Sequence, residues 1–176
     1  RAVMLENVRG FLDPGFEEYR NHIFTEIKKL GYVTHIKLLN ASDYGVPQLR
    51  PRVVIVGIRK DQAGAFEYPQ EHPGESPTVG KTLCDTLVGG SKKHGGPDLG
   101  PTRARNAWAE LGVDGRGIAN EAPAVDFEGM PRLTSRMMAR IQGFPDTWTF
   151  GSKKTIACRM IGNAFPPPVA QAVGEK

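Results

Sequence analysis

Gln48-Leu49-Arg50-Pro51-Arg52-Val53-Val54-Ile55-Val56-Gly57-Ile58-Arg59 decides the fold. Four β-branched residues in a row, Val53 to Val56, have the composition of a strand. Two arginines stand two apart just ahead of them. In a strand, residues at i and i+2 point the same way. Arg50 and Arg52 are therefore expected to project together, two fixed forks of donors at the mouth of a sheet. That geometry suits a phosphate or the oxygen of a base. The plainer reading of this stretch alone is two solvated charges flanking an ordinary strand, so the neighbouring segments have to decide.

Upstream, Ala2-Val3-Met4-Leu5 runs into Glu6-Asn7-Val8, the pattern of a buried strand that delivers polar groups at its C-terminal edge. In open α/β sheets that edge is where ligands bind. Phe16, Tyr19, Ile23, Phe24, Ile27 and Leu30 recur at three- and four-residue steps, which predicts an amphipathic helix packed on a sheet and stopped by Gly31. Tyr32 to Leu39 favours a second strand, and Asn40 to Gln48 a loop. Residues 1–60 thus read strand, helix, strand, loop, strand. This is α/β, the later part of a doubly wound, mainly parallel sheet whose first half is not in these residues. A start inside a strand-like run, without Met, is expected of the middle of a longer protein or of a chain that completes its sheet with a partner.

Downstream, periodicity fades and Gly and Pro become dense. A helix is predicted from Pro101 to Leu111, opened by Pro101 or Thr102 and closed by Gly112. Thr134 is placed to cap a helix over Ser135 to Gln142, with Gly143 stopping it and Phe144-Pro145 forcing an exit. A short helix is predicted over Lys153 to Ile161, closed by Gly162-Asn163. Pro166-Pro167-Pro168 opens a last one over Val169 to Val173. The expected division is residues 1–61, 62–131, 132–150 and 151–176.

The chain has 176 residues, 39% hydrophobic and 24% charged, ordinary values for a soluble globular protein. No apolar run reaches membrane-spanning length, and the first residues have neither the length nor the cleavage region of a signal peptide. Cys84 and Cys158 lie far apart without metal-ligand spacing, so two reduced thiols in a cytoplasmic protein, and no metal, are expected. The net charge of +4 hides a pattern. Residues 1–60 carry ten Lys/Arg against six Asp/Glu, residues 61–131 six against eleven, and residues 132–176 seven against two. Two basic ends around an acidic middle require a local argument about polyanion binding. Within the middle, Ser91 to Arg105 holds Lys92, Lys93, Arg103 and Arg105 against Asp98 alone, with glycines that let backbone N–H groups approach a phosphate or base edge. A solvated loop is the bland alternative.

Four segments in this order resemble the cytosine-C5 DNA methyltransferases. Glu6-Asn7-Val8 is similar to their ENV motif and Gln48-x-Arg50-x-Arg52 to their QxRxR motif. Arg132-Leu133-Thr134-x-Arg136 with Ala139-Arg140-Ile141-Gln142-Gly143-Phe144-Pro145 resembles their ninth motif, and Gly162-Asn163-Ala164-Phe165-Pro166-Pro167 their tenth. Their Phe-x-Gly-x-Gly cofactor loop and their nucleophilic Pro-Cys pair are absent from these residues, and neither cysteine here follows a proline. Met137 stands where the family usually has Glu, which removes one half of a capping box.

The resemblance implies a Rossmann-like methyltransferase sheet with a small, irregular target-recognition domain. It also implies transfer of a methyl group from S-adenosyl-methionine to a flipped cytosine in double-stranded DNA, within restriction-modification. That chemistry adds a thiolate to cytosine C6 to make C5 nucleophilic, and the base must leave the stack first. The resemblance assigns Glu6 to the base N3, Arg52 to the base oxygen, and Arg50 to organising the carboxylate and the DNA backbone. It assigns Gln48 to phosphate and Asn163, Ala164 and Phe165 to the cofactor. Residues 62–131 occupy the place of the recognition region. The reaction then requires the N-terminal half of the enzyme, in cis or in trans. A noncatalytic DNA-binding or regulatory subunit of the same architecture is the alternative, which the joint presence of Glu6, Arg50 and Arg52 disfavours.

Overall fold

Three strands carry the first part of the chain: β1 (Ala2–Val8), β2 (Tyr32–Asn40) and β3 (Pro51–Arg59). The computed structural model describes residues 1–72, 98–151 and 153–176. The sheet order is β1-β3-β2, with β3 antiparallel to both neighbours. This corrects the expectation of a mainly parallel sheet for the described strands. β1 and β2 do run in the same direction, but β3 lies between them. The helix α1 (Glu17–Lys29) makes the crossover from β1 to β2.

The pattern of burial explains why β3 is central. Val53 to Val56 are all buried, and successive side chains serve opposite faces. Val53 and Ile55 pack with Phe11, Ile23 and Phe24 on the α1 face. Val54 and Val56 pack with Leu39, Tyr44, Val46, Val169 and Val173 on the other. That second face is covered by α5 (Pro167–Gly174). The chain beyond β3 also stays on the sheet. Phe66 and Tyr68 pack against this core, and the Tyr68 hydroxyl lies 2.8 Å from the Val54 carbonyl oxygen and 2.9 Å from that of His35.

A second core is built by α2 (Thr102–Glu110), α3 (Ser135–Ile141), α4 (Lys154–Asn163) and the irregular segment before α3. Leu99, Trp108, Val113, Ile118, Leu133, Met138, Cys158 and Ile161 fill it. The helix α4 therefore belongs to this core, and α5 alone returns to the sheet. Gly162-Asn163 does not close α4 as expected. The helix runs through Asn163, and Ala164 is its C-cap. Among the described residues, no helix is long and apolar enough to cross a membrane.

Candidate functional site

Antiparallel pairing brings the C-terminal end of β1 beside the start of β3. Glu6 pairs with Val54 and Val8 with Arg52, so Glu6 and Arg52 share a face one step apart diagonally. The Arg52 Nε donates to Glu6 Oε1 at 2.7 Å, and both side chains keep an accessible edge. Arg52 also donates from NH1 to the Pro51 carbonyl at 2.9 Å. Burial pulls the Arg52 guanidinium below its ordinary pKa, and the Glu6 carboxylate opposes that shift. The result is a carboxyl and a guanidinium held together at one edge of the sheet.

Arg50 goes elsewhere. It is 1% exposed, and Gln48 beside it is 0% exposed. The Arg50 NH2 donates to the carbonyls of Gly162 at 2.7 Å and Ala164 at 3.1 Å, and NH1 to Gln48 Oε1 at 3.4 Å. A helix leaves its last carbonyls without intrahelical partners, and its C-terminus carries the negative end of the helix dipole. Arg50 supplies both donors and charge there. Its backbone N–H donates to Asn40 Oδ1 at 2.8 Å, which ties the site to the end of β2. Burial, then the charge of Arg52, lower the Arg50 pKa to about 10, with Glu6 acting in the opposite direction. It stays charged at neutral pH.

These placements correct two expectations. Arg50 and Arg52 do not present a paired fork, because only Arg52 lies at the open edge. Gln48 does not face solvent: its Nε2 donates to Gln142 Oε1 at 2.6 Å, and Gln142 Nε2 donates to the Ala164 carbonyl at 2.6 Å. A fully buried amide in this joint is a strut between the sheet and α3. Gln142 was not singled out from the sequence. The available signal was an amide between Ile141 and Gly143, on the face of α3 that its apolar neighbours bury.

The joint converges on the tenth-motif residues. Asn163 is exposed, the Ala164 carbonyl is taken by Arg50 and Gln142, and Phe165 is half-buried against the sheet core. Arg103 and Arg105 lie on α2, Arg103 exposed and Arg105 half-buried with NH2 donating to Thr102 Oγ1 at 3.1 Å. Lys92 and Lys93 lie outside the described residues. A groove of about 1320 Å³ between α3 and α5 is lined by Val113, Leu133, Phe144, Trp148 and Pro168, and by none of Glu6, Arg50, Arg52 or Asn163. Its size does not make it the chemical site.

The family model for C-5 cytosine-specific DNA methylases matches residues 1–99 and 87–176. The type II methyltransferase M.NaeI of Lentzea aerocolonigenes is 50% identical over 201 residues, covering 100% of this chain and 48% of the relative. The type II methyltransferase M.NgoMIV of Neisseria gonorrhoeae is 45% identical, covering 100% of this chain and 64% of the relative. The chain thus spans about half to two-thirds of the length of these relatives. Among solved structures, the S. pombe Dnmt2 methyltransferase matches with a TM-score of 0.56 at 17% identity, over 98% of this chain and 64% of that one. The Entamoeba histolytica methyltransferase EhMeth matches with a TM-score of 0.57 at 14% identity, over 99% of this chain and 61% of that one. At these identities the likeness is one of α/β fold.

Proposed function

The chain belongs to the C-5 cytosine-specific DNA methylase family, and from that premise we propose that it is the later part of a DNA (cytosine-5)-methyltransferase. It acts on a cytosine turned out of duplex DNA and works only with the upstream half of the enzyme, joined in cis or supplied in trans. The observation that carries this reading is the Glu6–Arg52 pair, 2.7 Å apart at the edge of the sheet.

Cytosine offers complementary groups to that pair. Its N3 gains electron density when C6 is attacked, and a carboxyl placed there holds a proton at N3 and lowers the barrier. Its C2 carbonyl oxygen accepts from a guanidinium, whose donors cannot be neutralised at any working pH. Arg52 does both tasks: it fixes Glu6 through Nε and keeps further donors for the base. Arg50, behind them, fixes the start of β3 against α4, so the pair is held before the base arrives.

S-adenosyl-methionine, when bound, supplies an electrophilic methyl group. Asn163 would offer an amide to its polar groups and Phe165 an apolar face, while Ala164 sets their spacing through its committed carbonyl. An exposed amide next to a half-buried ring fits such a ligand, which is itself part polar and part aromatic.

The test is methyl transfer from radiolabelled S-adenosyl-methionine to cytosine-containing duplex DNA. The chain alone should leave the DNA unlabelled, and the chain with its upstream half should label it. Glu6→Gln in the complete enzyme should slow transfer by roughly 10²–10⁴-fold with DNA affinity changed much less. Transfer by Glu6→Gln at the parent rate would sink the assignment of Glu6.

A further inference from the structure

Outside the Glu6–Arg52 edge, a single carboxylate organises a basic surface. Asp114 Oδ1 accepts from the Arg116 Nε at 2.9 Å and from the Arg116 backbone N–H at 3.0 Å. Asp114 Oδ2 accepts from the Arg132 Nε at 3.0 Å. One carboxylate thus holds two guanidinium groups, one per oxygen. The Asp114 side chain is only 12% exposed, whereas those of Arg116 and Arg132 are 72% and 52% exposed. The two arginines are pinned at the root and open at the tip. Both contacts use Nε, so neither commits the terminal nitrogens to Asp114.

The surrounding backbone fixes this unit. The Asp114 N–H donates to the Pro131 carbonyl at 3.0 Å, and the Ala119 N–H to that of Leu133 at 2.9 Å, which clamps the two arginine-bearing segments side by side. The Arg132 guanidinium lies against Gly117, where a Cβ would sit 3.3 Å from NH1. Arg105 borders the same turn: a Cβ at Gly115 would be 3.3 Å from the Arg105 Cα. Two arginines therefore meet one aspartate, and a third borders the turn that carries it. The hydrogen bonds from Arg116, first from its side chain and then from its backbone, and next that from Arg132, hold the Asp114 carboxyl well below the usual carboxylate range. The clamp stays charged throughout the neutral range.

Two open arginines held in advance are more than a solvated face requires. An isolated surface ion pair contributes little to stability, and tying down a long side chain costs rotamer freedom. The arrangement is useful when a ligand must meet the guanidinium already oriented, since ordering is then not charged against binding. A planar fork with free terminal donors matches the O6 and N7 of guanine in a major groove, or the oxygens of a phosphate. We propose that Asp114 is a positioning residue that presents Arg116 to a guanine edge and Arg132 to the adjacent DNA backbone. This rests on the reading of the chain as part of a DNA methyltransferase. It moves base recognition from α2 to the turn Asp114-Gly115-Arg116-Gly117.

The experiment measures binding of the complete enzyme, chain plus upstream half, to cognate duplex and to scrambled duplex across a salt series. Arg116→Ala should narrow the preference for cognate DNA by about 5- to 150-fold while scrambled DNA binds nearly as before. Arg116→Lys restores the charge but not the fork, so it should leave the preference narrowed. Arg132→Ala should weaken both duplexes alike and flatten the slope of log K against log salt by about 0.9. Asp114→Asn should reproduce both losses with both arginines still present and with the fold retained, as read by circular dichroism. Full discrimination in Arg116→Ala and in Asp114→Asn would overturn the proposal, as would recovery of discrimination by Arg116→Lys. A parent enzyme that neither binds nor methylates DNA would overturn the functional reading and this proposal together. Normal methylation with unaffected variants would overturn this proposal alone.

Discussion

Arg50 donates to the carbonyls of Gly162 and Ala164, where α4 has no further turn to satisfy them. Charged hydrogen bonds of this kind contribute roughly 1.5–3 kcal/mol each. Arg50→Lys keeps one charged nitrogen for the two carbonyls but loses the second terminal nitrogen, which reaches Gln48, and buries a more strongly hydrated charge. It should lower the melting temperature and lower methyl transfer with it. Arg52→Lys, at the open edge, should leave the melting temperature nearly unchanged and reduce transfer. Thermal melts alongside single-turnover transfer check the split, and equal melting losses in the two variants would contradict it. The sequence made the pair legible as chemistry but not as two depths. Depth is set by Gln142 and Gly162, about a hundred residues away, and no local pattern around Arg50 encodes them. Gly143 shows a second long-range constraint. Its φ is +85°, and a Cβ there would lie 2.6 Å from Pro168 Cδ. Gly143→Ala should cost about 1–3 kcal/mol, read by urea unfolding, with the loss seated where α3 exits against α5.

The helices were legible because their stops are local. Periodicity and glycine placed α1, α2 and α3 within a residue or two of their observed ends. Sheet direction was not legible, because a strand's own pattern says how it is buried and not which way its neighbour runs. The cap of α3 shows a finer limit. Thr134 Oγ1 accepts from the Met137 N–H at 3.1 Å as expected, and the Met137 sulfur accepts from the Thr134 N–H at 3.4 Å. A weak acceptor thus fills the place that the expected loss of Glu would have left empty. The segment after β3 adds a testable tie between strands. Tyr68 fastens β2 to β3 through its hydroxyl, and burial pushes its pKa up to about 12 from 10.0. The folded state therefore holds this proton more tightly than the unfolded chain. The associated stability is complete below about pH 10 and fades as pH rises toward about 12. Tyr68→Phe should remove part of the alkaline loss of stability. Tyr44, also shifted upward first by burial and then by Glu71 and Asp43, should keep the remainder. Denaturant midpoints from pH 8 to 11 measure it, and parallel pH curves for parent and variant would count against the Tyr68 contribution.

At the scale of the molecule, the two outer strands of the described sheet differ. On β2, Thr34, His35 and Lys37 interrupt the apolar residues, and a lysine on an edge discourages further pairing. On β1, Val3, Met4, Leu5 and Val8 are all exposed, with no charge before Glu6; Val33, Ile36 and Leu38 of β2 are exposed to a similar degree, so the charge of Lys37 makes the difference. A bare apolar edge of this kind invites another strand. The relatives extend well beyond the matched region, since the chain covers 48% of one and 64% of another. On the proposed reading, the upstream half covers β1 and leaves β2 at the rim. Hydrogen exchange read by mass spectrometry gives the comparison within one sample. Adding the upstream half should slow exchange across Ala2–Val8 and leave Tyr32–Asn40 nearly unchanged, at the same stoichiometry that restores methyl transfer. Coverage of β1 would also reduce the accessible edge of Glu6, whose pairing with Arg52 lies at the end of that strand. Structural completion and catalytic competence should therefore rise together in a titration. Restored transfer with β1 exchanging as fast as before would mean that the sheet is completed elsewhere, and that the exposed apolar edge serves another contact.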